Sequence, residues 1–239
     1  MLIDLHAHTS GISKCCKISA EENIKLAKKL GFDGLAVTNH YTSLYFDGKT
    51  YDEWIERYID EWHKCIMFAD KFKLRIFCGI EVTMNEDMRL HMLIYGAAAD
   101  FLRKNQRLCD MSLEKLYNVC RKNDCALVQA HPFRNGTVVQ NTDCLDGIEI
   151  NCHPLYKNSY HQEIAEIAQK SGLAVTAGCD YHADSYRPLG GSMIPDTVKT
   201  DRDLAEYIIH SKEFRLKIHD PVSRKIFETD YKRENNICK

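Results

Sequence analysis

Short apolar runs alternate with helix-period segments along the chain. Leu2, Ile3 and Leu5 predict a buried strand that stops at His6-Ala7-His8, and a loop over 9–18 carries the adjacent pair Cys15 and Cys16. Ser19 predicts an N-cap, with Glu22 at the capping-box position ahead of Ile24, Leu26, Ala27 and Leu30; Gly31 ends that helix. Gly34-Leu-Ala-Val-Thr is a short apolar strand leading into Asn39-His40. After a polar and aromatic loop, 51–72 predicts a long helix with an apolar stripe of Trp54, Ile55, Tyr58, Ile59, Trp62, Ile66 and Met67. His63 in that helix reads as a structural or surface histidine.

Further strands are predicted over 74–83, 91–96, 126–130, 147–151, 173–178 and near 214–218, with helices over 111–123, 158–171 and 201–210. The charged tail after Asp230 is expected to fray. Strands alternating with helices predict parallel βαβ units. No Pro-, Gly- or Ser-rich linker and no repeat divides the chain, so 1–239 reads as one domain. Polar residues gather just after the strands, where barrels of alternating strand and helix carry their active sites. Barrel closure would set Asp180-Tyr181-His182 against His6-Ala7-His8.

Composition narrows the class. Of 239 residues, 44% are hydrophobic and 28% charged, and the formal charge is −2, ordinary for a globular protein and without the basic cluster of a nucleic-acid binder. No apolar run reaches membrane-spanning length, and the first strand begins too early for a signal peptide, so a cytoplasmic location is expected. The eleven cysteines then read as reduced thiols, most of them, such as Cys78 and Cys179, packed in the core. Oligomeric state is not legible.

The strand ends carry the candidate chemistry. His6, His8, His40, Glu81, His91, His131, Asp180 and His182 are eight potential ligands from six strand regions. On a strand, residues two apart share a face, so His6 and His8 project together as half of a metal site. Imidazole mixed with carboxylate favours zinc, manganese or iron over calcium, and eight ligands are too many for one ion, so a multinuclear site is expected.

In their order, His6-Ala-His8, Thr38-Asn39-His40, Gly79-Ile-Glu81 with His91, Ala130-His131-Pro132 and Asp180-Tyr-His182 resemble the PHP (polymerase and histidinol phosphatase) superfamily, over residues 1 to about 195. The resemblance implies an α/β fold, a distorted seven-stranded (β/α) barrel holding two or three divalent transition-metal ions, with phosphoester hydrolysis as the usual activity. It assigns His6, His8, Glu81 and Asp180 to a first metal; Glu81, as a bridge, with His91 and His131 to a second; and His40 with His182 to a third. Two departures weaken the third position. Asn39 stands where an Asp is common, and Ser13 and Lys14 stand where an Asp or His is common. That position is expected to be weak or empty unless Cys15 or Cys16 fills the gap.

Closely spaced metals lower the pKa of a bound water, and the resulting hydroxide attacks phosphorus in line. The expected catalytic residues are Arg134, Asp180 and His182. Arg134, three residues past His131, is the candidate for gripping the phosphoryl oxygens, with Arg187 a second substrate-binding candidate. Glu149 and Asn151 read as residues that orient the ligands. The leading reading is hydrolysis of a small phosphomonoester, such as histidinol phosphate or a nucleotide, with specificity in loops 41–53 and 183–193. The alternatives are a nuclease or proofreading-type phosphodiesterase and a non-catalytic metal-binding PHP domain. The expected partner is a small phosphorylated substrate, with neither membrane nor nucleic acid.

Overall fold

The computed structural model describes residues 1–46, 48–183, 186–187 and 189–233. Within these, the first half runs β1 Leu2–Ala7, α1 Ala20–Lys29, β2 Gly34–Val37, β3 His40–Tyr41, α2 Tyr51–Phe72, β4 Arg75–Thr83, β5 His91–Tyr95 and α3 Ala99–Lys104. The second half runs α4 Leu113–Lys122, β6 Ala126–Gln129, β7 Gly147–Asn151, α5 His161–Ser171, β8 Ala174–Gly178, β9 Gly191–Met193, α6 Asp201–His210, β10 Glu213–Asp220 and β11 Lys225–Lys232.

The helices begin where local chemistry dictates. Ser19 and Glu22 form the expected capping box, satisfying two backbone donors that the first turn of α1 would leave orphaned, and Thr50 with Glu53 does the same for α2. Along α2 the buried stripe is Trp54, Ile55, Tyr58, Ile59, Trp62, Cys65 and Ala69. Ile66 and Met67 were expected in it but are exposed at 39% and 51%, because the buried stripe steps three from Trp62 to Cys65 and then four to Ala69. His63 is exposed, as expected of a surface histidine. The stripe also positions the site: Tyr58 Oη donates to the Asn39 carbonyl, and Trp62 Nε1 donates to Val37 O at 3.3 Å.

All eleven described strands join one sheet, in the path β11-β10-β9-β1-β2-β4-β5-β6-β7-β8, with β3 paired to β4. The expected seven-stranded barrel is therefore met only in part. β1, β2 and β4 to β8 follow one another in ring order, and a parallel bridge from Ala7 to Tyr181 nearly closes them. β9 occupies the other half of the β1 edge, at Leu2 and Ile3, and carries the β10–β11 hairpin outside the ring. The tail expected to fray after Asp230 instead stays paired through Lys232, opposite Glu213. Residues 234–239 of that tail lie outside the described residues.

Besides the antiparallel β9, β10 and β11 outside the ring, the expectation of parallel strands fails at one place within it. β5 runs antiparallel to both β4 and β6. The connection 84–90 is too short for a crossover, so the chain turns back as a hairpin. That reversal places His91, the first residue of β5, at the same end of the ring as the last residues of its parallel neighbours. Ile3, Leu5, Phe77, Leu93, Tyr95 and Val128, drawn from strands around the ring, pack with Leu204, Ala205 and Ile208 of α6, which caps the opposite end. Nine of the ten described cysteines are buried, and Cys15 is exposed.

Gly178 is where ring closure is tightest. A Cβ there would stand 2.7 Å from His6 N and from Glu149 Oε1. Gly178→Ala is therefore expected to push β8 away from β1 and lower stability by roughly 1–3 kcal/mol, as overpacking does. Thermal unfolding of the metal-free protein checks this; an unchanged melting temperature would show that the ring has slack.

Candidate metal centre

The eight predicted residues converge on one end of the ring. β1 supplies His6 and, one residue past its end, His8; β3 supplies His40; β4 supplies Glu81; β5 opens with His91. His131 follows β6, and Asp180 and His182 follow β8. Backbone bonds fix these ends to one another: Glu81 N donates to Asn39 O at 3.1 Å, Ala130 N to His91 O at 3.0 Å, and His8 N to Tyr181 O at 3.2 Å. His131 and Asp180 hold φ of +30° and +50°, a left-handed conformation that side-chain-bearing residues seldom adopt. Such strain persists where surrounding bonds over-determine it, and His131 N accordingly donates to Glu149 Oε2 at 2.9 Å.

Glu81, fully buried, is the hub. Its Oε1 lies 3.2 Å from His6 Nε2, 2.8 Å from His91 Nδ1 and 3.2 Å from His131 Nε2. Its Oε2 lies 2.5 Å from His40 Nδ1 and 3.4 Å from His8 Nε2. Asp180 Oδ1 adds a second anionic oxygen, 3.1 Å from His8 Nε2 and 3.4 Å from His6 Nε2. Ligating atoms within 4.8 Å of one another fall into three overlapping sets: His6, His8, Glu81 and Asp180; His40, Glu81 and His91; His8, His40 and His182. The first is the set the family resemblance implied. In the second His40 stands beside His91, while His131 approaches the same Glu81 oxygen.

The outer contacts determine which ring atoms face inward. His6 Nδ1 lies 2.9 Å from Glu149 Oε1, and a carboxylate can only accept, so Nδ1 carries the proton. His8 Nδ1 lies 3.0 Å from Ser13 Oγ, which donates to Asn39 Oδ1 and accepts from His40 N. Ser13 has spent its one proton, so His8 Nδ1 must donate as well. In both neutral rings the Nε2 lone pair then points at carboxylate oxygens, an arrangement that repels unless a cation or a proton stands between.

Without metal, a proton takes that place at His6. Burial opposes its charge, but Glu149, Glu81 and Asp180 hold the ring well above the ordinary histidine pKa. Burial, with the charges of His182 and His40, keeps His8 well below it. Burial would raise Glu81, yet the charges of His40, His91 and His6 hold it well below the usual carboxylate range. Five buried atoms of this cluster, His6 Nε2, His8 Nε2, His40 Nδ1, Glu81 Oε2 and Asp180 Oδ1, make no hydrogen bond of sound geometry. Orphaned buried polar atoms are rare in folded proteins. Converging imidazole and carboxylate donors fit borderline divalent metals, so the residues present suit the ions that the motifs imply.

Several contributors had no clear mark in the sequence. Asp4 Oδ1 accepts from His6 N at 3.1 Å and Cys179 N at 2.8 Å, clamping β1 to the segment that ends in Asp180. Its one local signal is a charge inside an apolar run. Tyr156 Oη and Arg134 Nη1 both donate to Asp180 Oδ2 at 2.7 Å, which turns Oδ1 toward the histidines. The Arg134 guanidinium also lies over the Tyr156 ring, 4.8 Å from its centroid. Glu149 and Asn151 do orient the ligands, the amide donating to Glu149 Oε2 at 3.3 Å. Arg187 is exposed, and among the described residues it has no contact with the cluster. Asp47, Asp184, Ser185 and Pro188 of the two loops expected to set specificity lie outside the described residues.

The PHP domain model matches residues 4–180, and the chain belongs to that family. No curated protein matches the sequence. Among solved structures, the chain resembles a candidate metal-dependent phosphoesterase from Bifidobacterium adolescentis, with 17% identity, a TM-score of 0.55, and coverage of 85% of this chain and 94% of that one. It also resembles an amidohydrolase from Chromobacterium violaceum solved with bound sulfate and no metal, at 16% identity and a TM-score of 0.59, over 86% and 96% of the two chains. A lesion-specific endonuclease from Pyrococcus furiosus shares 14% identity at a TM-score of 0.58, over 87% of this chain and 55% of that chain. At these identities the likeness establishes the fold.

Because both Glu81 oxygens face the rings, Glu81→Ala is expected to release more than one ion per chain and to abolish phosphoester hydrolysis. Elemental analysis with a phosphate-release assay checks this. A variant that keeps its full metal content would remove Glu81 from the hub.

Proposed function

We propose that the protein is a metal-dependent phosphoric ester hydrolase acting on a small phosphomonoester. The observation that carries the reading is the cluster of orphaned ligand atoms, two of whose residues, His40 and Asp180, line an open cavity of about 550 Å3, within the range of small-molecule sites. Bound divalent ions would supply Lewis acidity, activating water and neutralising charge on the phosphoryl oxygens. Zinc, iron and manganese all suit the donors His6, His8, Glu81, Asp180, His91 and His131.

The chain's own residues act around that chemistry. Arg134 lines the cavity, and with Nη1 held by Asp180 its remaining N–H groups can grip a phosphoryl oxygen. Tyr156 and Arg134 hold Asp180 in the rotamer that presents Oδ1 to the cluster, and the backbone carbonyl of Asp180 orients His182 through Nδ1 at 2.7 Å. Leu44, Met88 and Leu155 are exposed at 68%, 41% and 67%, and all three rim this cavity. An apolar rim suits the organic group of a compact ester.

A phosphodiesterase reading has the fold of the Pyrococcus furiosus endonuclease behind it. Nucleic-acid binding draws its affinity from many Lys and Arg contacts to phosphates. Among the described residues lining this cavity, Arg134 is the one guanidinium or ammonium group. A single terminal phosphate matches that supply better than a polymer.

The test is kcat/KM on a panel of phosphomonoesters, histidinol phosphate and nucleotides included, against a short single-stranded oligonucleotide. The monoesters should turn over faster and with little salt dependence. Arg134→Ala should lower their kcat/KM by roughly 10²-fold, the scale of losing one charge-stabilising donor, with metal content retained. Faster oligonucleotide cleavage that falls steeply with salt would move the protein to the nuclease class.

A further inference from the structure

The loop over 9–18 is fastened to the segment that carries His182. Lys17 N donates to the His182 carbonyl at 2.8 Å, Ser10 N to Ile18 O at 2.7 Å, and Cys16 N to Ser13 O at 2.9 Å. This brackets Cys15 at the mouth of the cavity, which Cys15, His40, His182 and Tyr45 line together. The Cys15 sulfur is within hydrogen-bond reach of both imidazoles and of the Tyr45 hydroxyl. Cys16 is directed elsewhere: it is buried, and its thiol donates to Ile18 O at 3.5 Å.

The two imidazoles also face each other nitrogen to nitrogen. His182 Nδ1 donates to the Asp180 carbonyl at 2.7 Å, and its Nε2 stands 3.4 Å from His40 Nε2. The fully buried His8 ring stacks on His182 with centroids 4.0 Å apart, and its Nε2 is one of the orphaned atoms. His8, His40 and His182 bring ligating nitrogens within 4.8 Å of one another. Two of the residues at the places where the family often carries charged groups, Ser13 and Asn39, are already engaged. Ser13 bonds to Asn39, and the Asn39 amide donates to Thr9 Oγ1 at 2.9 Å while its oxygen accepts from Thr9 N at 2.8 Å. Neither has a free anionic oxygen to offer.

We propose that the Cys15 thiolate, with the imidazoles of His40 and His182, forms a sulfur-containing metal position at the mouth of the centre. The inference rests on the metal-centre reading above. On binding, the S–H bond breaks, a sulfur–metal bond forms and the proton leaves to solvent. One thiolate with two imidazoles selects zinc, cobalt or ferrous iron over manganese or magnesium. The position expected to be weak for want of a carboxylate is thereby completed by a softer ligand, and it differs in metal preference from the two sites centred on Glu81.

Cobalt(II) reports on this directly, since a thiolate ligand adds a near-ultraviolet sulfur-to-cobalt charge-transfer band that imidazole and carboxylate do not. The full chain, stripped and reloaded with cobalt, should show the band in the wild type and in Cys16→Ser. Cys15→Ser should lose the band and one ion per chain. Cys15→Asp should recover the ion without the band, which separates lost ligation from misfolding. Manganese alone should load one ion fewer than cobalt in the wild type. A wild type that binds cobalt at the Glu81 sites without the band, or a Cys15→Ser variant that keeps it, overturns the Cys15 site and leaves the rest of the centre standing. A wild type that binds no more than one cobalt overturns the centre itself.

Discussion

A single carboxylate in contact with five imidazoles is the constraint on which the rest of this structure depends. Glu81 is fully buried, and the ring atoms around it come from His6, His8, His40, His91 and His131, on four separate stretches of chain. Removing an ion from water into a low-dielectric interior costs several kcal/mol even after relaxation. That cost is tolerable only if compensating positive charge stands beside it. In the metal-free protein His6 supplies part of that charge by holding a proton; metal ions supply it more completely. Metal and proton therefore compete for the same place, and affinity for metal should weaken as the pH falls.

The barrel serves this arrangement by turning every contributing strand to the same end. Six ring strands do so by running parallel, and β5 does so by running the other way with its histidine first instead of last. Behind the ligands, Glu149, Ser13 and the pair Arg134 and Tyr156 each fix one ring or carboxylate in orientation, and Asp4 ties the His6 backbone to that of Cys179. These partners are themselves bonded on more than one side, so the ligand atoms arrive with little freedom left to lose. Preorganisation of that kind is what separates a metal site from a chance cluster of polar groups.

Most of the ligand set was legible because it sits at abrupt ends of apolar runs, where a buried strand has no other use for His or Asp. The capping box at Ser19 and Glu22 and the glycine that ends α1, Gly31, were legible for the same local reason. Strand direction was not: periodicity marks a strand without saying which way it runs, so His91 became intelligible only through the β4–β5 pairing. The hairpin partner β11 was missed because Lys225–Lys232 alternates charged residues with Thr and aromatics and resembles a solvated tail. Nor could adjacent Cys15 and Cys16 be distinguished. The bond from Lys17 to the His182 carbonyl, between residues far apart in sequence, decides which thiol meets the imidazoles. Tyr156 and the reach of Arg134 to Asp180 likewise depend on the return of loops that carry no motif.

The central claim is that Glu81 holds more than one metal ion, and counting those ions tests it most directly. The intact protein, loaded to saturation with zinc or manganese and freed of excess, should hold at least two ions per chain by elemental analysis. Anomalous scattering from crystals of the same preparation should place two of them on either side of the Glu81 carboxylate. A saturated preparation holding one ion or none, or ions bound away from Glu81, would contradict the account.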